Sequence, residues 1–537
     1  MLPSCWTFVS RSTACAAFPP GSSAQGEIML KTTFGHTGPW MVLLSLPFLL
    51  QTPIVTTVEA QSQSRPTNPR GTGLGNALGQ PLLDAAGYVR DDAYLHVPIH
   101  PDDQQYLGLD GEEMKDYLRE VVDISLRDRD RGNVFWGRNA GTQGHVEAQD
   151  WLEDYFREYG LEDIHRERME LPTQWHPQSY EITFTGDGRT FQLESARPAR
   201  LGESTPPRGL EWDLVWVGQG LPADFVGKDV LGKAVLIQDI PLPGEINHSI
   251  RNEAAIERAF EHGAAAVGVM YGVSDNFSIW EVVGGGPGFN VGYEDGRRLL
   301  KILGEGQTVR VNYKLDVDMV DGLEGAHVWG TLPGMTDEDI TIVAHLDGYF
   351  HSALDNGSGL SVMVGLVDYF ASRPRTERRR NIRFAGTVGH HGGGPGTRSL
   401  ADQLGSTAML INLEHVAMAR TKYWGDWLRT TNAVAPMRWW VYGSDDLLDV
   451  TLDALQRFNV GITGDMEPAA GGEISRIHRL VPSIQIITSP EIKHTEQEFV
   501  EWIPAVGLEQ IARAYARIID RVNQLSRSEL QPAGVVD

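Results

Sequence analysis

Beyond residue 110 the chain reads as amphipathic helices first and short apolar strands afterwards. Between Met114 and Tyr159, apolar positions recur every three or four residues. Tyr117, Leu118, Val121, Val122, Ile124 and Leu126 predict one helix. Ala148, Trp151, Leu152, Tyr155 and Phe156 predict a second, stopped at Gly160. Strand-type runs follow at 163–171 and 179–185. From 195 to 312 the texture changes. Short strands at 214–218, 232–238 and 264–270 are separated by Gly, Pro and Asp turns, with one helix near 254–262. After residue 320 strands (327–332, 340–346, 382–389, 408–413, 484–488) alternate with helices (358–370, 447–458, 504–525). That alternation predicts an α/β fold. Its core is a three-layer domain with helices on both faces of a mixed, mostly parallel sheet, interrupted by a small β-rich insert.

The first residues have another character. The stretch 61–85 is rich in Gln, Ser, Pro, Gly and Asn and reads as a flexible linker. Before it, an apolar run at 40–50 follows Lys31, and Val58-Glu-Ala60 places small residues before Gln61. These features predict a cleaved signal peptide, with translation starting at Met29, and a secreted or periplasmic product. Pro47, Gln51 and Pro53 break the run, which argues against a permanent membrane span. Cys5 and Cys15, the two cysteines, both precede the cleavage point. The mature chain then has no disulfide, thiolate zinc site or cysteine nucleophile. Any metal must rest on His, Asp and Glu, which favours zinc or a similar divalent ion. Lys+Arg 46 against Asp+Glu 71 gives a net charge of −25, an unfavourable surface for nucleic acid or anionic membranes.

The strand at 340–346 carries His345 to its end, with Asp347 just beyond. Asp355-Asn-Gly-Ser-Gly359 then supplies a second carboxylate at the mouth of a helix. Hydrolytic metal sites in open α/β sheets lie beyond strand ends in this way. Asp347 is placed to fix the His345 tautomer or orient a metal-bound water; for Asp355 the structural alternative is a helix N-cap. His391-Gly-Gly-Gly394 imitates a serine-esterase oxyanion motif, but the chain has no Gly-x-Ser-x-Gly elbow, so a tight turn is the better reading. Trp424, Trp427, Trp439, Trp440 and Tyr442 line a pocket or fill the core. Glu467 and Glu473, in a loop before the final strand, offer further carboxylates, and His351 and His415 neighbour ligand positions. The basic run from Arg373 to Arg380 reads as a solvated helix exit.

Two further motifs, Asn412-Leu-Glu414 and Lys493-His494-Thr495, stand in order behind these. Gly232-Lys-Ala-Val-Leu-Ile and His262-Gly-Ala-Ala-Ala-Val lie in the middle segment. With them the chain resembles the zinc aminopeptidases of family M28, in the branch carrying an inserted protease-associated (PA) domain. The resemblance covers roughly 112–525. With the upstream segment and signal peptide (1–60) and a linker or N-terminal extension (61–111), this gives a catalytic domain (112–194 and 313–527) and the insert (195–312). The resemblance implies one zinc on His345, Asp355 and Glu414 and a second on Asp355, His391 and His494, with Asp355 bridging. The implied activity is hydrolysis of peptide or amide bonds by a metal-bound hydroxide, aminopeptidase-like.

The chain departs from this family at one place. His390-His391 stands where the family has a Glu-Glu pair, the first Glu its general base and the second a zinc ligand. His391 can still ligate through a neutral imidazole. His390, with Asp347, becomes the candidate catalytic group. Two zinc ions bring +4 and Asp355 with Glu414 returns −2, leaving +2; carboxylates at 390 and 391 would have left zero. A more positive site acidifies bound water further and retains a second ion less well. The expected cofactor is one or two Zn²⁺ ions. The expected partner is a peptide or small amide substrate, with no nucleic acid and no membrane after signal cleavage. Two other readings stay open: a non-catalytic binding protein on the same scaffold, and a hydrolase of esters or non-peptide amides.

Overall fold

The computed structural model describes residues 99–240, 249–424 and 427–533. The signal segment, the cleavage point, the linker over 61–85 and both cysteines lie outside the described residues.

The central sheet has seven strands: β1 (Glu162–Glu170), β2 (Glu324–Leu332), β3 (Asp339–His345), β4 (Asn381–Thr387), β5 (Thr407–Leu413), β6 (Arg438–Tyr442) and β7 (Ser483–Ile487). Their spatial order is β6-β7-β5-β3-β4-β2-β1. The four middle strands β7, β5, β3 and β4 run parallel, and the flanking pairs are antiparallel. Of these, β3, β5 and β7 are buried along their length, which explains their largely apolar sequences.

The helices α1 (Gly111–Asp130), α2 (Gln143–Glu158), α3 (Gly359–Ala371), α4 (Asp445–Arg457) and α5 (Ala505–Val522) follow the predicted periodicity. Asp110 caps α1 by accepting the Glu112 N–H, and Thr142 caps α2 by accepting that of His145. The two faces of the sheet are covered differently. Ile340, Ile342 and Ala344 of β3 pack with Leu118, Leu152, Val364 and Ile511 in the main core under the helices. Val343, with Trp329, Ala385, Leu410 and Trp440, turns the other way. It meets Leu400, Leu404, Ala470 and Ile474, from 3-10 turns at Gly396–Gln403 and Gly472–Ile474 and the loop beside them. Full α-helices were expected on both faces. The Gly- and Pro-rich segments on the second face lack the 3.6-residue apolar repeat that a packed helix needs. His345 shares the parity of Val343, so it emerges on this loop-covered face.

A second, eight-stranded sheet includes the middle segment and also draws in the long antiparallel strands Gln174–Gly186 and Arg310–Val320. Its parallel part, Leu210–Trp216 through Ala234–Asp239 and Ala266–Tyr271 to Gly288–Val291, has its own apolar clusters. Ser278 to Trp280 of this unit touch the loop carrying His494. Ile279 bridges Thr495, the Glu496 N–H donates to the Ser278 carbonyl at 2.9 Å, and Trp280 Nε1 donates to Glu496 at 2.8 Å.

The basic run corrects an expectation. Arg378 and Arg380 are buried rather than solvated. Arg378 donates to the carbonyls of Phe370 and Arg373 behind α3, and Arg380 to those of Val522 and Leu525 behind α5 and to Glu338. Guanidinium groups here satisfy carbonyls that a helix end leaves free.

Candidate metal centre

Asp355 sits at the centre of the site. The loop 346–358, at the C-terminal end of β3, presents its carboxylate, which is almost fully buried. Oδ1 faces His345 Nε2 at 3.1 Å, His391 Nε2 at 3.1 Å and His415 Nε2 at 2.8 Å. Oδ2 faces His494 Nε2 at 2.9 Å and Lys493 Nζ at 3.6 Å. Burial pushes this carboxyl upward, but His391, His415 and Lys493 outweigh it and hold it well below the usual range.

Local hydrogen bonds aim the rings. His345 Nδ1 lies 2.8 Å from the Asp347 carbonyl, His415 Nδ1 3.2 Å from the Thr488 carbonyl, and His390 Nδ1 2.7 Å from Glu473 Oε2. Each ring thereby uses Nδ1 on an oxygen and leaves Nε2 toward the centre, the orientation ligand histidines adopt. Asp347 is fully buried, and its carboxylate accepts the backbone N–H of His391 at 2.8 Å and that of His390 at 3.4 Å. It fastens the turn carrying these two histidines. The tautomer of His345 is set by the Asp347 carbonyl rather than its carboxylate.

Glu414 ends β5. Its Oε2 accepts Asn412 Nδ2 at 2.7 Å and the Glu473 N–H at 2.8 Å, leaving Oε1 toward the site. A side chain at 472 would collide with this carboxylate, so Gly472, at φ +59, permits the close approach. Glu473 is also buried. It accepts Thr387 Oγ1 at 2.5 Å on one oxygen and His390 on the other. Burial raises its carboxyl, but His390 brings it down to about 2; the same pair lifts His390 to about 10 against burial. His391 and His494 are held down by burial, His494 to about 3 with Lys493 adding to the effect.

Two groups without a motif hold the loops together. Glu498 accepts the N–H groups of Leu354 at 2.8 Å and Asp355 at 2.6 Å with one oxygen, and that of His494 at 3.0 Å with the other. Burial, then Asp355, raises its carboxyl to about 8. Arg138, fully buried, donates to the Leu346 carbonyl at 3.0 Å and to Ser352 Oγ at 3.0 Å. Sequence reading missed both because their role is to satisfy backbone groups, which leaves no residue-type signature.

The site residues His345, Asp355, His390, His391, Glu414 and His494 thus meet in one place, with Asp347 directly behind them. Glu473 joins them, whereas Glu467 pairs with Arg438 at 2.8 Å away from the site. His415, read as a neighbour of the ligands, faces the centre directly. Trp439 and Trp440 are buried in the sheet's packing, and Trp427 is exposed. A cavity of about 440 Å³ opens beside His391 instead, walled by Phe135, Trp175, Tyr349 and Arg200 among others.

These donors fit a divalent cation. His345 Nε2, His415 Nε2 and Glu414 Oε1 are buried and have no hydrogen-bond partner among the described residues. Uncompensated buried polar atoms are costly unless a cation completes them.

The sequence model of peptidase family M28 matches residues 327–466. Comparison with curated protein sequences finds no match. The fold resembles the peptidase M28 precursor of Shewanella amazonensis, with TM-score 0.62 and 16% identity over 80% of this chain and 97% of that one. It also resembles BSAP, a zinc aminopeptidase from Bacillus subtilis, with TM-score 0.54 and 18% identity over 79% and 98%. The aminopeptidase from Aneurinibacillus sp. strain AM-1 matches with TM-score 0.50 and 19% identity over 81% and 97%. The segment that matches the family M28 model contributes His345, Asp355, His390, His391, Glu414 and His415 to one centre, on a fold shared with these solved structures.

Proposed function

We propose that the chain is an exported, metal-dependent hydrolase of amide bonds that acts as an aminopeptidase on peptides. The observation that supports this reading is the meeting of His345, His391, His415 and His494 around the Asp355 carboxylate at the end of the parallel strands, with Glu414 Oε1 3.6 Å from His415 Nε2. His345, Asp355 and Glu414 would hold zinc. When bound, that ion supplies Lewis acidity toward the scissile carbonyl and a water.

The remaining chemistry belongs to the chain. Hydrolysis adds water across the C–N bond, so one proton must leave the water and one must reach the departing nitrogen. His390, paired to Glu473, carries such a proton on a ring stacked against His345 at 4.2 Å. It donates to the leaving amine and recovers a proton from the water, while Glu473 balances the imidazolium charge. This pair stands in for the family's glutamate base. The cavity beside His391 takes the substrate side chain, with Phe135, Trp175 and Tyr349 supplying apolar walls. Residues 195–312 act in this reading as the PA-like insert, bracing the His494 loop through Arg197, which grips Glu496 at 2.6 and 2.8 Å.

The test is turnover of a panel of aminoacyl anilides and matched aminoacyl esters by the purified protein, before and after chelation. Chelator-sensitive anilide cleavage is expected. Cleavage confined to the esters would replace peptidase by esterase activity, and none on either would leave a binding protein. The N-terminal sequence of the exported protein checks the leader, with Gln61 expected first.

A further inference from the structure

The carboxylate of Asp355 divides the centre into two unequal halves. On the Oδ1 side lie His345 Nε2, His415 Nε2 and Glu414 Oε1, none with a hydrogen-bond partner among the described residues, and also His391 Nε2, which is already engaged in a hydrogen bond with Oδ1 at 3.1 Å. His415 has a left-handed backbone at φ +50, and its Nδ1 rests on the Thr488 carbonyl. With the Nδ1 proton held there, Nε2 offers its lone pair inward, 3.6 Å from Glu414 Oε1. Two imidazole nitrogens and two carboxylate oxygens make a complete donor set for one zinc-like ion.

The Oδ2 side is different. The resemblance to two-zinc enzymes would put a second ion there, between Asp355, His391 and His494. Lys493 sends its side chain into that space, 7% exposed, with Nζ 3.6 Å from Oδ2. The half already holds a cation. The charge count agrees. One divalent ion (+2), Asp355 and Glu414 (−2), Lys493 (+1) and the His390–Glu473 pair (0) sum to +1. A second ion would raise this to +3 in a buried site without the carboxylate that the family has at 391, and uncompensated buried charge of that size is strongly disfavoured.

Resting on the metal-hydrolase reading above, we propose that the centre holds one divalent ion, bound by His345, Asp355, Glu414 and His415, with the Lys493 ammonium in place of a second. His415 is then a ligand rather than a neighbour, and His391 and His494 are left to face substrate.

The test strips the full-length protein with chelator and titrates it with Zn²⁺ by calorimetry, checking bound metal by elemental analysis. One equivalent per chain is expected. His415→Ala should weaken that equivalent at least about tenfold, whereas His391→Ala should leave it within about twofold. Lys493→Met should admit a second, weaker equivalent. Two equivalents in the unmodified protein would overturn the proposal on their own, even if a variant failed to fold. Unchanged affinity in a folded His415→Ala protein would overturn the role of His415, and a stoichiometry still at one in Lys493→Met that of Lys493. No zinc binding at all would defeat the metal-hydrolase reading itself, an outcome distinct from these.

Discussion

His390 Nδ1 and Glu473 Oε2 lie 2.7 Å apart, although the residues are far apart in sequence. The contact pairs a turn after β4 with a loop on the sheet's loop-covered face. If the pair works as a unit, Glu473→Gln and His390→Ala should each lower kcat by about 10²- to 10⁴-fold. The double variant should be little worse than either single one. Steady-state kinetics on an anilide substrate checks this; full turnover by His390→Ala would contradict the assignment.

The same pair sets a pH window for stability in chelated protein. Glu473 is depressed to about 2, so its stabilisation is complete above its unfolded value of about 4.3 and is lost as pH falls toward 2. His390 is raised to about 10, so its stabilisation is complete below about 6.5 and is lost as pH rises through 10. Denaturant melts of the chelated wild type and Glu473→Gln should differ most between about pH 5 and 6.5 and converge toward pH 2. A difference that grows toward acid would reverse the sign and refute it.

Glu498 is predicted to matter for architecture rather than chemistry. Removing its carboxylate leaves the buried N–H groups of Leu354, Asp355 and His494 without an acceptor. At about 1–3 kcal/mol for each unsatisfied group, Glu498→Ala should lose about 3 kcal/mol or more of stability. Glu498→Gln keeps one acceptor oxygen and should lose less. Chemical denaturation of both variants orders them, and equal losses would count against the clamp.

Arg197 couples the second sheet to the His494 loop through its two-pronged contact with Glu496. Arg197→Ala should raise KM more than it lowers kcat, because the loop is displaced while the proton carrier is untouched. A double-mutant cycle with Glu496→Ala should show a coupling of about 0.5–3 kcal/mol in the stability of the folded protein. Additive losses would mean that the contact does not transmit.

The parallel strands and the chief helices were legible because burial on both faces or on one stripe writes itself into apolar periodicity. The strand Arg438–Tyr442 escaped that reading. Its tryptophans suited a pocket as well as a sheet, and only its pairing with Ser483–Ile487 decides between them. In the site, residues on short consecutive motifs were visible: His345, Asp355, Glu414 and His494. Glu473 was one of two loop acids, and nothing local distinguishes it from Glu467; Thr387 and His390 approach only after folding. Lys493 was visible as a motif neighbour, but its charge near Asp355 depends on the path of its side chain. Arg378 and Arg380 misled for a related reason, since sequence shows a cluster of charge but not the helix carbonyls waiting for it.

The centre itself is tested most directly by anomalous diffraction at the zinc edge from crystals of the zinc-loaded protein. The account predicts a peak about 2.0–2.2 Å from the ligand atoms of His345, Asp355 and Glu414. A peak elsewhere, or none among these side chains, would contradict it.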